Sequence, residues 1–356
     1  ERTSHPFLTY DMIKDIPKGF RATLQKLSNF RAETGPARLV FTGNGTAFYS
    51  AEMGSQVLEL SNLDWRAVQA FELANYENHR GGKSVITIGV SHSGITKSTL
   101  DALSKAKSQG SKTIGVTHFA DRPISKVADK TLLVGDSPDK SRCHTKAYTN
   151  SAAAVFALSL AFAQASSSEL VNVKKDFETN LADEIESTIS RAESGAKKMA
   201  SELRNVSKIY FSGAGPNLVT AREAALKNKE ASYLPAEGME LEEILHGPAM
   251  SFDKQTLVVA LVPSGPSVER ARDLLAAAKK IGAITMVVSD LADWEANYRF
   301  SIPKTHEYLS PFLSIIPPYL FSYFLAVEKG KNPDYIHYTD PTYWDARTII
   351  FPPGTH

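Results

Sequence analysis

The chain has 356 residues, 42% hydrophobic and 22% charged, which excludes a disordered or fibrous protein and leaves room for two domains of about 150 residues. Lys plus Arg number 40 against 39 Asp plus Glu, a formal charge of +1; with no basic excess to grip nucleic acid, an anionic ligand must be met by a local site. The single cysteine, Cys143, rules out an intrachain disulfide and fits a reducing cytosol. In chain order, the opening Glu1-Arg2-Thr3-Ser4-His5 lacks an apolar run, so no signal peptide is expected. Residues 1–34 read as a helical arm in which Pro17 starts or kinks a helix.

From residue 35 short β-branched runs alternate with helical patterns, the mark of parallel α/β domains. Strands are predicted over 38–42, 84–90 and 112–117, with helices to about Leu60 and Gln109 between them. The order recurs with strands over 208–212, 256–262 and 285–289. Gly43 and Gly213 are 170 positions apart, Ser93 and Ser264 171, Thr113 and Thr285 172. Three anchors that drift by one residue each define two copies of one domain. The expected organisation is an arm (1–34), a first domain (35–168), a long charged connecting helix (169–205), a second domain (206–330) and an irregular tail (331–356). The stretch 308–327 is 20 residues without a charge, long enough to span a bilayer. Pro311, Pro317 and Pro318 break it, so a buried helix starting near Pro318 is expected, like a second over 152–163. The protein reads as soluble and cytoplasmic, with no membrane or nucleic-acid partner.

The two copies differ where chemistry would sit. After its second strand the first copy has Ser91-His92-Ser93-Gly94-Ile95-Thr96, which puts three hydroxyls and several backbone N–H groups at a helix start. Unpaired N–H groups and the positive end of the helix dipole suit a phosphate there. Capping of the helix by Ser91 and Thr96 is the competing reading. The second copy has Pro263-Ser264-Gly265-Pro266 instead, and each proline removes a donor. That copy carries Glu223, Lys227 and Glu230 at spacings of four and three, on one helix face. Such a face is either a solvated salt-bridge surface or, with His246 before Gly247-Pro248, a proton-moving group for a sugar carbon and ring oxygen. Neither HExxH, paired CxxC nor GxxxxGK[ST] occurs, so no metal or cofactor is expected.

Five segments carry a resemblance: Gly43-Asn44-Gly45-Thr46, Ser91 to Thr96, His144-Thr145-Lys146-Ala147-Tyr148-Thr149, Ala225-Leu226-Lys227-Asn228-Lys229-Glu230, and His246-Gly247-Pro248. Over about 35–350 the chain resembles the sugar isomerase (SIS) family, in particular the tandem-SIS isomerase half of glucosamine-6-phosphate synthase and its stand-alone deaminase and deglycase relatives. The resemblance implies an α/β fold of two tandem SIS domains, each a flavodoxin-like three-layer sandwich of a parallel sheet flanked by helices. It implies that Ser91, Ser93 and Thr96 bind a sugar phosphate, His92 mainly through its backbone, with Thr46, Arg142 and Arg347 as sugar contacts. Glu230 would shuttle a proton between C1 and C2, Lys227 would lie against the substrate hydroxyls, and His246 would open the ring from the neighbouring subunit. A homodimer with shared sites and a tail over the active site follow.

Departures from the pattern narrow the substrate. Ala47 stands at a family serine, Arg142-Cys143 replaces small apolar residues, and Arg347 occupies the synthase's essential lysine position. Arginine has no nucleophilic amine for a Schiff base at neutral pH. The sequence also holds no counterpart of the synthase's glutaminase half. A phosphorylated amino sugar is the expected ligand, and deamination of glucosamine 6-phosphate the expected reaction. Deglycation of fructosamine 6-phosphates, plain aldose–ketose isomerisation and non-catalytic sensing are the alternatives.

Overall fold

A computed structural model describes residues 2–32, 35–77, 82–164 and 166–352. The ends of the expected arm and tail (1, 33–34 and 353–356) therefore lie outside the described residues. Two five-stranded, all-parallel sheets organise the chain. The first comprises β1 (Arg38–Gly43), β2 (Asp64–Gln69), β3 (Val85–Val90), β4 (Lys112–Thr117) and β5 (Lys130–Leu133), in the order β2-β1-β3-β4-β5. The second comprises β6 (Lys208–Gly213), β7 (Ala236–Glu240), β8 (Thr256–Leu261), β9 (Ile284–Ser289) and β10 (Tyr298–Ser301), in the order β10-β9-β8-β6-β7. Numbered within each copy, both read 2-1-3-4-5, the flavodoxin-like doubly wound order. The chain is thus an α/β protein of two such domains.

Continuous apolar strands suit parallel sheets covered on both faces. Val85-Ile86-Thr87-Ile88-Gly89-Val90 and Thr256-Leu257-Val258-Val259-Ala260-Leu261 are accordingly buried at every position. Strand order also fixes where a ligand can enter. The connection reverses direction between β1 and β3 in the first sheet and between β6 and β8 in the second, opening a crevice beyond the strand C-termini.

The chain contributes to two compact units, each assembled from three segments. One holds Asp15–Asp139, Lys146–Thr179 and His337–His356 and contains the first sheet; the other holds Glu1–Lys14, Lys140–Thr145 and Asn180–Ile336 and contains the second. The expected connecting helix is two helices, Ser168–Thr179 and Leu181–Glu202, divided at Asn180, where the chain passes from one unit to the other. The apolar stretch forms helices Ser310–Ser314 and Ile316–Glu328, with Pro317 in the first turn of the latter. By length and composition 310–328 could cross a membrane, yet 94% of it is buried inside the protein. The tail is not wholly irregular: Pro341–Ile350 is a helix whose N-cap Asp340 accepts from Thr342 N–H.

Candidate active site

In the first unit the loops after β1 and β3 are tied together at the crevice. Asn44 Nδ2 donates to Ser98 Oγ at 2.7 Å and Thr99 Oγ1 at 3.3 Å, so the first loop is bonded to the helix that follows the second. Thr46, in the first turn of helix Thr46–Ser55, is buried there. Ser91 is fixed by its N–H to Val116 O (3.0 Å). Its hydroxyl accepts from Gly94 N–H at 3.0 Å and is 3.1 Å from Thr96 Oγ1. Gly94 has φ +71°, and a Cβ there would come within 2.6 Å of Arg122 Cβ, so only glycine closes this turn without displacing its neighbours.

Thr96 sits at the N-cap of helix Lys97–Ser108 but makes no side-chain cap bond. Its hydroxyl turns back to Ser91 instead. The geometry differs here from simple capping, because the Thr96 side chain takes none of the N–H groups of the first turn. Ser93 is half-buried, and its side chain makes no hydrogen bond among the described residues.

His92 supports the loop from behind. Its Nδ1 is 3.1 Å from Ser151 Oγ on helix Thr145–Ala163, and its carbonyl accepts from His118 N–H at 3.4 Å. The His118 ring lies 5.9 Å away, tilted 54°. Burial above all, reinforced by the charge of Lys146, pushes the His118 pKa down to about 4. The folded value is below the unfolded value of about 6.5, so the folded state binds fewer protons between the two. The neutral ring's contribution is complete above about pH 6.5 and is lost as pH falls toward 4. Urea melts of His118→Gln should therefore lose less stability than wild type between pH 6.5 and 4. An unchanged pH slope would show that this ring does not set it.

In the second unit the corresponding crevice is filled from within. Ser264 gives its N–H and hydroxyl to Asp290 at 2.6 and 2.7 Å. A Cβ on Gly215 or Gly265 would lie 3.4 or 3.9 Å from Glu307 Oε1, which places that carboxylate between the two loops. Two acidic groups there repel an anion that the first copy's hydroxyls could accept.

Helix Asn217–Ala231 carries the charged cluster of this unit. It lies close against its strands because Gly213 and Gly238 have no Cβ; one there would meet Asn217 O at 2.3 Å or Arg222 Cα at 2.4 Å. Lys227 is 2% exposed, with Nζ 2.5 Å from Glu230 Oε2 and 3.5 Å from Glu223 Oε1. Glu223 is fully buried and accepts from Tyr319 OH at 3.0 Å. This is not a solvated salt-bridge face. Only Glu230 opens to solvent, by 24% of its side chain. Burial raises the Glu230 pKa against the opposing charge of Lys227. Burial works to lower that of Lys227, but Glu223 and Glu230 overcome it and hold the ammonium protonated. The arrangement is a carboxylate with raised basicity, aimed outward and steadied by a fixed cation.

The other expected residues are placed as follows. Arg142 is exposed and donates its N–H to Asp334 O at 3.1 Å. The neighbouring Cys143 is buried against Ala231, at the end of the helix bearing Glu230. His246 has 69% of its side chain exposed and is bonded to Glu242 at 3.0 Å. No hydrogen bond or ion pair joins it to Glu230 or Lys227 among the described residues. Arg347 lies on helix Pro341–Ile350 with its guanidinium over the rings of Trp344 (5.2 Å) and Tyr338 (5.4 Å). Tyr319, Asp290, Glu307 and the bonds of Glu242 escaped the sequence reading. Of these, the Glu242–His246 bond alone left a signal, their spacing of four.

A doubly wound sheet occurring twice, with a hydroxyl-lined switch-point loop in one copy and a buried acid–lysine cluster in the other, defines a tandem flavodoxin-like α/β protein. The SIS domain model matches residues 35–164 and 202–329, and the chain belongs to that family. A glutamine–fructose-6-phosphate aminotransferase (isomerizing) from Clostridium tetani is 30% identical over 299 residues, 82% of this chain and 49% of the relative. Its counterpart from Thermococcus kodakarensis is 28% identical over 327 residues, 90% and 54% respectively. The chain thus spans about half the length of these relatives. Among solved structures, the C-terminal domain of glucosamine-fructose-6-phosphate aminotransferase from Francisella tularensis superposes with a TM-score of 0.83 at 18% identity, covering 93% of this chain and 98% of that one. Glucosamine-6-phosphate deaminase from Thermotoga maritima gives 0.75 at 21%, covering 92% and 97%. These structural likenesses bear on the fold.

Proposed function

We propose that this chain is a phosphosugar isomerase acting on an amino-sugar phosphate, converting glucosamine 6-phosphate and water to fructose 6-phosphate and ammonia. The observation that carries the reading is Glu230, a carboxylate of raised pKa, partly open and held by the buried Lys227. A base of this kind is suited to moving a proton between adjacent carbons. With the substrate in its open form, Glu230 takes the proton from C2 and returns it to C1, while one proton of the amine passes to O1. This converts the C1 aldehyde to an alcohol and leaves an imine at C2, which water hydrolyses to the ketone with release of ammonia. The loop Ser91 to Thr96 holds the phosphate, with Thr46, Arg142 and Arg347 as sugar contacts and His246 as the ring-opening group. The decisive experiment incubates the purified chain with glucosamine 6-phosphate and assays ammonia and fructose 6-phosphate. Isomerisation of a hexose 6-phosphate without ammonia would move the assignment to a plain isomerase, and binding without turnover to a sensor.

The phosphate reading makes a separate prediction. Loss of a hydrogen bond to a charged group costs about 1.5–3 kcal/mol, so Ser93→Ala should weaken phosphosugar binding by roughly 10- to 100-fold. Titration calorimetry should find one phosphosugar per chain. Unchanged affinity would remove Ser93 from the site, and two equal sites would contradict the acidic second crevice.

The reading includes a cytoplasmic homodimer in which His246 serves the neighbouring chain's site. Mixed Glu230→Gln and His246→Asn chains should then recover activity, since one composite site in each mixed dimer is intact. No recovery after proven subunit exchange would place His246 in its own chain's site.

A further inference from the structure

The group that holds His246 is itself held. Glu242 Oε1 accepts from His246 Nε2 at 3.0 Å. Both carboxylate oxygens also take Arg270, with Nε to Oε2 at 2.6 Å and Nη2 to Oε1 at 2.7 Å. This two-point fork is the geometry in which arginine fixes a carboxylate most firmly. Arg270 is braced in turn by Asp273 Oδ2 at 3.2 Å, and it sits on the regular helix Val268–Ile281. The turn bearing Glu242 is pinned separately, since Glu240 Oε2 accepts the backbone N–H groups of Glu242 (2.7 Å) and Glu243 (3.0 Å). Hydrogen bonds from Arg270, and then from His246, hold the Glu242 carboxyl down at about 2, so it stays an anion at neutral pH.

An ionised carboxylate only accepts hydrogen bonds, so the imidazole nitrogen facing it must carry the hydrogen. In the neutral ring the other nitrogen is then bare. We propose that Glu242, oriented by Arg270, is a positioning residue for His246, fixing its Nε2–H tautomer and leaving Nδ1 as the nitrogen that works on the sugar. The inference rests on the reading of His246 as the ring-opening group. Nδ1 takes the proton of the anomeric hydroxyl, and that O–H electron pair becomes the second bond of the carbonyl. The C1–O5 bond breaks with its pair going to O5, which then receives the proton from Nδ1. During the transfer the ring is positively charged, and the Glu242 anion faces that charge.

Two measurements on the full chain test this. Nitrogen-15 NMR of histidine-labelled protein, with His246→Asn to identify the signal, should show Nε2–H in the wild type. A mixture should appear in Glu242→Ala, and a smaller change in Arg270→Ala. An Nδ1–H signature in the wild type overturns the proposal. In kinetics, Glu242→Ala should lower kcat on ring-closed substrate by about 10- to 100-fold, the range seen when the partner orienting a metal-bound histidine is removed, with KM little changed. Activity should return on the same phosphosugar made without the hydroxyls that close its ring, whereas Glu230→Gln should stay slow on both. Equal loss on both substrates would make Glu242 a purely structural residue and overturn the proposal. So would a wild-type rate for Glu242→Ala on ring-closed substrate beside a slow His246→Asn. If His246→Asn itself turns over ring-closed substrate normally, the ring-opening reading has failed and takes the proposal with it.

Discussion

Glu230→Gln is expected to lower kcat by about 10²–10⁴-fold while leaving substrate binding largely intact, because general-base catalysis is typically worth that much. The amide keeps the shape of the side chain and an oxygen that can accept from Lys227, but it cannot take up a proton. Glu223 cannot substitute, since it is fully buried and bonded to Tyr319. Solvent deuterium should appear at C1 or C2 of recovered sugar with the wild type and not with the variant, unless the protein shields the transferred proton from exchange. A Glu230→Gln chain that turns over at the wild-type rate would reduce the carboxylate to an ion-pair partner of Lys227 and remove the main support for the enzyme assignment.

The largest effect on stability is expected at Lys146. Its side chain is fully buried, with Nζ bonded to Asp15, 2.6 Å from Asp136 and 3.1 Å from Ser137. Burial alone would raise the Asp136 pKa, but the bonds from Lys146 and Lys18 hold it well below the usual carboxylate range. Removing one member of such a group strands the others, at a cost of about 3–5 kcal/mol. Lys146→Met, which keeps the volume, should therefore lower Tm by on the order of 10 °C, taking about 2–4 °C per kcal/mol for a unit of this size. Adding Asp15→Asn and Asp136→Asn should restore much of the loss, because the stranded charges go with it. A melt within about 2 °C of wild type for Lys146→Met alone would show that water, and not the lysine, compensates these carboxylates.

The six strands read from sequence and the four that escaped it divide by position in the sheets. Strands β1, β3, β4, β6, β8 and β9 are interior, and their runs of Val, Ile and Leu are legible because both faces are covered. The missed ones, β2, β5, β7 and β10, are the four sheet edges. Edge strands need no continuous apolar run; Asp64-Trp65-Arg66-Ala67-Val68-Gln69 and Ala236-Glu237-Gly238-Met239-Glu240 carry charge instead. The connecting stretch reads as one helix because charge and helical spacing persist through 169–204, and the one local mark of the break is Asn180, a residue type favoured at helix caps.

The site was legible to the same degree as its locality. Lys227 and Glu230 are three positions apart on one helix, so their meeting could be foreseen. Tyr319 reaches Glu223 from 96 positions away, and Asp15 reaches Lys146 from 131. Spacing rules do not extend to such pairs. The helix cluster is buried and not solvated because helices such as the one bearing Tyr319 cover it, and that covering is out of reach of periodicity alone.

The interlaced make-up of the two units bears on how this chain can be cut and recombined. The first SIS match ends at residue 164, but the folding unit does not. Residues 1–14 and 140–145 belong with the second sheet, where Asp334 accepts the N–H groups of Leu8 and Thr9 and Cys143 packs on Ala231. A gene severed between the repeats would give a C-terminal fragment with an uncovered Ala231 and a buried aspartate lacking its donors. It would also give an N-terminal fragment carrying two orphan segments. A single crossover between the repeats therefore strands these contacts in both products. Any break between residues 15 and 179 separates the first helix from the unit it belongs to.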